Sequence, residues 1–262
     1  MPEYQNWLFN QRDHIATLTL NRPDQSNRLT PETFQELHDI TDHLSISKDI
    51  WVVIVEAKGK HFSVGMDVAV IGSMIGNSEE QFREGLKGMQ RDLDAFEGLR
   101  KPTIAKLHGF CLGGGLILAL CCDFRIASRR TVLGFPEVKR GVPVIMGTQR
   151  VRRVVGVTIT KELILQAKNI NANVAKEYGL VDEVVAPDEL DEAVDTLASI
   201  FLSLPPRTVG AAKHIIDYGH QLSLRDSQDM EIDVQAELLD SPDFKEAIES
   251  FFENREPRYS GE

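Results

Sequence analysis

Apolar positions along this chain recur with two periods, and the change from one to the other divides it into strands and helices. Two short extended runs come first, predicted as strands over 7–9 and 15–20, the second with partial alternation. Asn21-Arg22-Pro23-Asp24 is a turn signal. From Phe34 the spacing becomes three and four residues, through Leu37, Ile40 and Leu44, which sets one apolar stripe on a helix over 31–46. Thr30 suits its N-cap, and Pro31 suits the first helical position, where no N–H is needed. The β-branched run from Ile50 to Glu56 has no polar alternation, so it predicts a strand buried on both faces.

The alternation of strand and helix continues to residue 185. A short helix is expected near Asp67, a charged helix over 79–98 and a strand over 102–107. A glycine-rich turn over 108–115 opens onto an apolar helix over 116–120, followed by a strand over 123–127. An extended segment over 131–135 leads to Pro136 and Glu137. Helices are expected over 148–155, with Arg150, Arg152 and Arg153 on the exposed side, and over 160–166. A further helix is capped by Gly179, and a strand covers 181–185. Beyond that point only helical patterns occur, over 188–202, 208–219, 224–239 and 242–254. The order implies an α/β body over 1–203 and a helical region over 204–262 that packs on the body or on a neighbouring subunit.

Composition narrows the function. With 40 acidic against 29 basic residues the formal charge is −11, which disfavours a nucleic-acid binder while leaving room for one small basic pocket. The three cysteines, Cys111, Cys121 and Cys122, are an odd and clustered set, unsuited to a disulfide framework and suggestive of a reducing compartment. No signal peptide and no membrane span is expected, so the expectation is a cytoplasmic protein. Neither the cysteines nor His61 and His108 have a metal-ligand spacing.

Three places stand out as candidate chemistry. Gly113, Gly114 and Gly115 lie between a strand and a buried helix, where backbone amides without helical partners can hold a developing oxyanion. Close helix packing or a tight turn explains the same glycines. The loop from Phe62 to Asp67 joins another strand to a helix and offers a second amide; Asp67 equally reads as a helix cap. Glu137 stands among apolar neighbours, where burial raises a carboxyl pKa and makes it a general acid or base. A solvated or capping glutamate is the alternative. Ser63 lacks the glycine-flanked elbow of a serine nucleophile. The cluster Arg150, Arg152 and Arg153 reads as a phosphate contact, a solvated helix face or a subunit contact.

Several segments in the same order resemble the enoyl-CoA hydratase/isomerase (crotonase) superfamily. They are Leu20-Asn21-Arg22-Pro23, His61-Phe62-Ser63-Val64-Gly65-Met66-Asp67, Lys101-Pro102-Thr103-Ile104-Ala105 and the stretch from Gly109 to Gly115. Cys122 to Ala127, Phe135-Pro136-Glu137-Val138, Gly147-Thr148-Gln149-Arg150 and Phe251 to Arg255 continue the likeness, so that it covers nearly the whole chain. The resemblance implies a spiral of β-β-α units with a C-terminal helical region that takes part in trimerisation, and a homotrimer or homohexamer. It implies an acyl-CoA thioester substrate, no cofactor beyond the coenzyme A carried by that substrate, and an enolate held by two backbone amides. Those amides fall on Met66 and Gly114.

The resemblance also exposes a departure. Hydratases of the superfamily usually carry two glutamates; one matches Glu137, and the position of the other is Ile117, which neither accepts nor donates a proton. A single glutamate resembles the Δ3,Δ2-enoyl-CoA isomerases, in which one carboxylate moves a proton from C2 to C4. The run Gly141 to Thr148 is shorter and more apolar than its hydratase counterpart and carries no replacement acid. The resemblance places an acyl pocket at Ile117, Val142, Val144 and Phe135, and coenzyme A contacts at Arg28, Val64 and Phe251; Asn254 stands where a lysine is often found. The expectation is therefore an enoyl-CoA isomerase. A hydratase, or a related lyase or hydrolase, is the alternative, and a non-catalytic acyl-CoA-binding subunit is a third possibility.

Overall fold

The central sheet is buried on both faces, and it sets the position of everything else. The computed structural model describes residues 3–73 and 75–262. Strands β1 (Trp7–Arg12) and β2 (Ile15–Leu20) form an antiparallel hairpin, α1 (Pro31–Ile46) crosses over, and β3 (Val52–Ala57) pairs parallel with β2. Helices α2 (Val68–Ser73) and α3 (Glu79–Glu97) precede β4 (Thr103–Leu107), which lies parallel to β3. The short β5 (Phe110–Leu112) enters α4 (Gly114–Leu120), and β6 (Phe124–Ser128) returns parallel to β4. Then come β7 (Val132–Gly134), a 3-10 turn over Glu137–Arg140, α5 (Thr148–Leu165), β8 (Asn169–Asn171), α6 (Ala172–Glu177) and β9 (Glu183–Val185). Helices α7 (Leu190–Leu202), α8 (Pro206–Gly219), α9 (Leu224–Ala236) and α10 (Pro242–Glu253) close the chain.

The strands form two sheets, ordered β1-β2-β3-β4-β6-β9 and β5-β7-β8. Each turn of the spiral places one strand in the large sheet, the next in the small sheet, and then a helix: β4-β5-α4 is followed by β6-β7-α5. These are repeated β-β-α units followed by a helical C-terminal region. Period-two alternation explains the double burial of β3. Val53 and Val55 face the main core with Leu37, Ile40 and Leu44 of α1, whereas Val52 and Ile54 face a second core closed by Leu190, Val194 and Ala198 of α7. Helix α8 is tied to the body by the buried Lys213, whose Nζ donates to Asp123 Oδ2 at 2.9 Å and to the Lys101 carbonyl at 3.2 Å.

Most expected elements occur, and the differences have physical causes. The helix expected from 208 begins at Pro206, since proline fits the first turn of a helix. Strands β5 and β8 are three residues each, too short to show a period, and were expected as turn and unassigned chain. The expected division of α5 into two helices is found at Gly156, whose φ of 74° and ψ of 175° break the helix.

Arg150 requires a correction: it is not on the exposed side of α5 but buried. Its Nε donates to Glu97 Oε2 at 2.8 Å and its Nη1 to the Met146 carbonyl at 2.6 Å, and it also pairs with Asp94. The reason is tertiary. The acidic C-terminal end of α3 lies against the start of α5 and neutralises the guanidinium, so this position faces inward despite its charge. Replacing Arg150 by Ala removes these bonds but leaves two partly solvated acids, so the expected loss is about 1–3 kcal/mol. A urea titration with a lowered midpoint and unchanged slope checks it.

Candidate active site

Two loops and one turn meet at the edge of the small sheet. The first loop connects β3 to α2 and carries Met66. Leu29 N donates to Gly65 O at 3.0 Å and Asp67 N donates to Leu29 O at 2.9 Å, a short parallel bridge centred on Met66. In such a bridge the flanking residues face the partner strand, so the N–H of Met66 itself is directed the other way. The second loop connects β5 to α4. Gly113 takes a φ of 52°, in the region that favours glycine, while its N–H donates to Gly134 O at 2.9 Å. Gly114 is then the first residue of α4, where an N–H has no partner within the helix.

The loops touch through glycine. A Cβ at Gly114 would stand 3.4 Å from Met66 N, and one at Gly65 would stand 3.2 Å from Gly114 N, so the two amides are neighbours. A Cβ at Gly115 would collide with Ser63 Cβ at 2.6 Å. Neither Met66 N–H nor Gly114 N–H donates to an acceptor among the described residues. Glu137 closes the arrangement at the start of its 3-10 turn. Its Oε1 lies 2.7 Å from where a Cβ on Gly113 would be, and its Oε2 is buried without a hydrogen-bond partner. Burial raises the carboxyl pKa, with its own backbone and Arg140 acting weakly in the opposite direction. Two unpaired donors beside a desolvated carboxyl group can bind a carbonyl oxygen and exchange a proton with an adjacent carbon.

Ile117 lies one turn into α4 and is 6% exposed. A Cβ at Gly147 would meet Ile117 Cγ1 at 2.6 Å and Val144 Cγ1 at 2.9 Å, so Ile117, Val144 and Gly147 interlock. Val142 is partly exposed and donates its N–H to the Glu137 carbonyl at 3.3 Å, while Phe135 is fully buried in the main core. Val64 is partly exposed and its N–H donates to Ser26 O at 3.2 Å. Arg28 Nη1 lies 3.4 Å from Asp67 Oδ1, and that same oxygen accepts the Ala69 N–H at 2.9 Å, so Asp67 does cap α2. Phe251 is on α10, 77% exposed and edge-on to Phe252, away in sequence from every element that carries Glu137. The cysteines are core thiols; burial pushes Cys122 up to about 12. Among the described residues no group of three or more His, Cys, Asp or Glu side chains could hold a metal ion, and no helix is long and apolar enough to cross a membrane.

The chain and its fold match known proteins. The family described as "Enoyl-CoA hydratase/isomerase" matches residues 10–262. The chain belongs to the enoyl-CoA hydratase/isomerase family. It is 34% identical to the short-chain-enoyl-CoA hydratase of Clostridium acetobutylicum over 97% of both chains. It is also 32% identical to the peroxisomal Delta(3,5)-Delta(2,4)-dienoyl-CoA isomerase of Arabidopsis thaliana, over 96% of this chain and 94% of the relative. The crystal structure of an enoyl-CoA hydratase from Bacillus anthracis superposes with a TM-score of 0.91 at 34% identity, covering 98% of this chain and all (100%) of that one. As a member of this family the protein is an enzyme that processes acyl-CoA thioesters through a stabilised enolate.

Of the residues singled out in the sequence, Met66, Gly114, Glu137 and Ile117 lie in or beside these loops. Not singled out were Leu29, which acts through a backbone bridge, and Asn27, whose side-chain amide bonds three backbone groups. The buried carboxyl group also generates a stability prediction. Because its folded pKa lies above the ordinary 4.5, the folded state holds the proton longer than the unfolded state, and stability falls as pH rises from 4.5 through the raised value. Glu137→Gln removes that fall. Denaturant titrations at pH 4 and pH 8 are expected to show the variant gaining on the native protein at the higher pH.

Proposed function

We propose that this enzyme isomerises 3-enoyl-CoA thioesters to the conjugated 2-enoyl form, with Glu137 as the acid and base. The observation that carries the reading is the buried, unpartnered Glu137 carboxyl beside the unpaired N–H groups of Met66 and Gly114. The ionised carboxylate takes a proton from C2. The negative charge spreads onto the thioester oxygen, where the two N–H groups stabilise it in proportion to how much charge has developed. The same carboxyl group returns the proton at C4, and the double bond moves into conjugation. Ile117, Val144 and Val142 supply an apolar wall that keeps water from the reacting carbons. Val64, Arg28 and the exposed Phe251 are assigned to the coenzyme A portion.

Hydration is the second reading, and most of the relatives' names favour it, the Arabidopsis isomerase excepted. The Clostridium relative and the Bacillus structure are both called hydratases. Against it stands Ile117, which cannot orient a water molecule. Incubating the protein in deuterated water with a 3-enoyl-CoA and separately with crotonyl-CoA, followed by mass spectrometry, separates the readings. Isomerisation yields the 2-enoyl thioester without added oxygen; formation of 3-hydroxyacyl-CoA at a comparable rate replaces it with hydration. Glu137→Gln is expected to lose roughly 10²–10⁴-fold in kcat. The acid limb of the pH–rate profile is expected above 4.5, since burial raises this carboxyl and only its ionised form accepts the C2 proton.

The protein is further read as a homotrimer or homohexamer. The C-terminal helices leave Ile216, Leu224, Ile232 and Phe251 between 67% and 77% exposed, apolar side chains that a subunit interface would cover. Mass measurement in solution is expected to give three or six times 29.4 kDa. A stable monomer contradicts this assignment.

A further inference from the structure

We infer that Ser63 is the positioning residue that sets the separation of the two amide donors, an inference that rests on the roles assigned above to Met66 and Gly114. Ser63 is fully buried and reaches four parts of the site at once. Its Oγ donates to the Asn27 carbonyl at 2.7 Å and accepts the Gly65 N–H at 3.1 Å, on the residue immediately before Met66. Its backbone joins the first loop to β5: Ser63 N donates to Phe110 O at 3.0 Å, and Leu112 N donates to Ser63 O at 2.9 Å. Its Cβ lies where Gly115 leaves room for it, 2.6 Å from where a Cβ on that glycine would be. One small side chain thus links the loop that carries Met66 to the loop that carries Gly114.

The anchor behind it is rigid. Asn27 is buried with a left-handed φ of 51°. Its Nδ2 donates to the carbonyls of Lys58 and His61, each at 2.8 Å, and its Oδ1 accepts the Arg22 N–H at 2.9 Å. The hydroxyl of Ser63 therefore connects a fixed turn to the Val64–Gly65 peptide, one residue before the Gly65–Met66 peptide whose carbonyl accepts the Leu29 N–H at 3.0 Å; Gly65, at a φ of 91°, is the joint between the two. Without the Oγ, the Gly65 N–H loses its buried acceptor, and the peptide turns to find another. The Met66 N–H is then held from the Leu29 side alone, and its direction is no longer fixed from both sides. Buried and doubly bonded, Ser63 does not touch substrate, and its effect passes through Met66.

The test reads donor geometry without turnover. A cinnamoyl-CoA thioester bearing a para-amino group has an absorption band that moves to the red when its carbonyl is polarised. Native protein at saturation is expected to shift that band. Ser63→Ala, checked for folding by circular dichroism, is expected to lose at least about half of the shift and roughly ten- to a hundredfold in kcat on the turned-over enoyl-CoA, with KM within about twofold of native. A full shift with native kcat in Ser63→Ala overturns the positioning role and leaves the donor assignment standing. No shift in the native protein, with the thioester demonstrably bound, overturns the donor assignment itself. If Ser63→Ala does not fold, Ser63→Cys decides: its weaker, longer sulfur bond is expected to give a partial shift, and native shift and kcat overturn the proposal.

Discussion

Where the chain between β3 and α2 lies against the chain between β5 and α4, there is no room for a side chain. A Cβ on Gly65 would sit 2.9 Å from the Leu112 carbonyl, and one on Gly115 would overlap Ser63. The near approach of the two backbones sets the amide N–H groups of Met66 and Gly114 side by side. It also leaves those of Met66 and Gly114 without a protein acceptor among the described residues. On the proposed assignment of these two amides, groups held ready cost stability in the empty protein and repay it when charge develops opposite them. The glycines are therefore the condition on which the proposed chemistry rests.

The remaining structure serves to hold that approach. The double-faced sheet fixes the ends of β3 and β4, the small sheet fixes β5 against β7, and the Leu29 bridge orients Met66 from the opposite side. The Glu137 turn follows β7 directly, so the pairing that places Gly113 under Gly134 also brings the carboxyl group to the two amides. Arg150 clamps the Met146 carbonyl from behind, at the base of the loop that meets Ile117.

Much of this was legible in the residues, and the limits have physical reasons. The helix over 31–46 was readable to its ends because a stripe of four apolar positions, a cap and a proline agree. The glycine triplet and Glu137 were readable as oddities, and the family resemblance gave them roles. Arg150 was not: its burial depends on Asp94 and Glu97, more than fifty positions earlier in the chain, which no local pattern connects to it. Strands β5 and β8 were too short to show a period. Ser63 was weighed only as a nucleophile, whereas its hydroxyl is committed to Asn27 and Gly65, contacts that exist only after the chain has folded. The choice between isomerisation and hydration is argued from Ile117, a single apolar residue, whereas most of the relatives' names are those of hydratases.

The central claim is geometric, and a crystal structure of the native protein with an unreactive saturated acyl-CoA tests it most directly. The account predicts the thioester oxygen at about 3 Å from both Met66 N and Gly114 N, with a Glu137 oxygen facing the thioester's C2. A thioester oxygen bound to neither amide, or a C2 that faces away from Glu137, contradicts it.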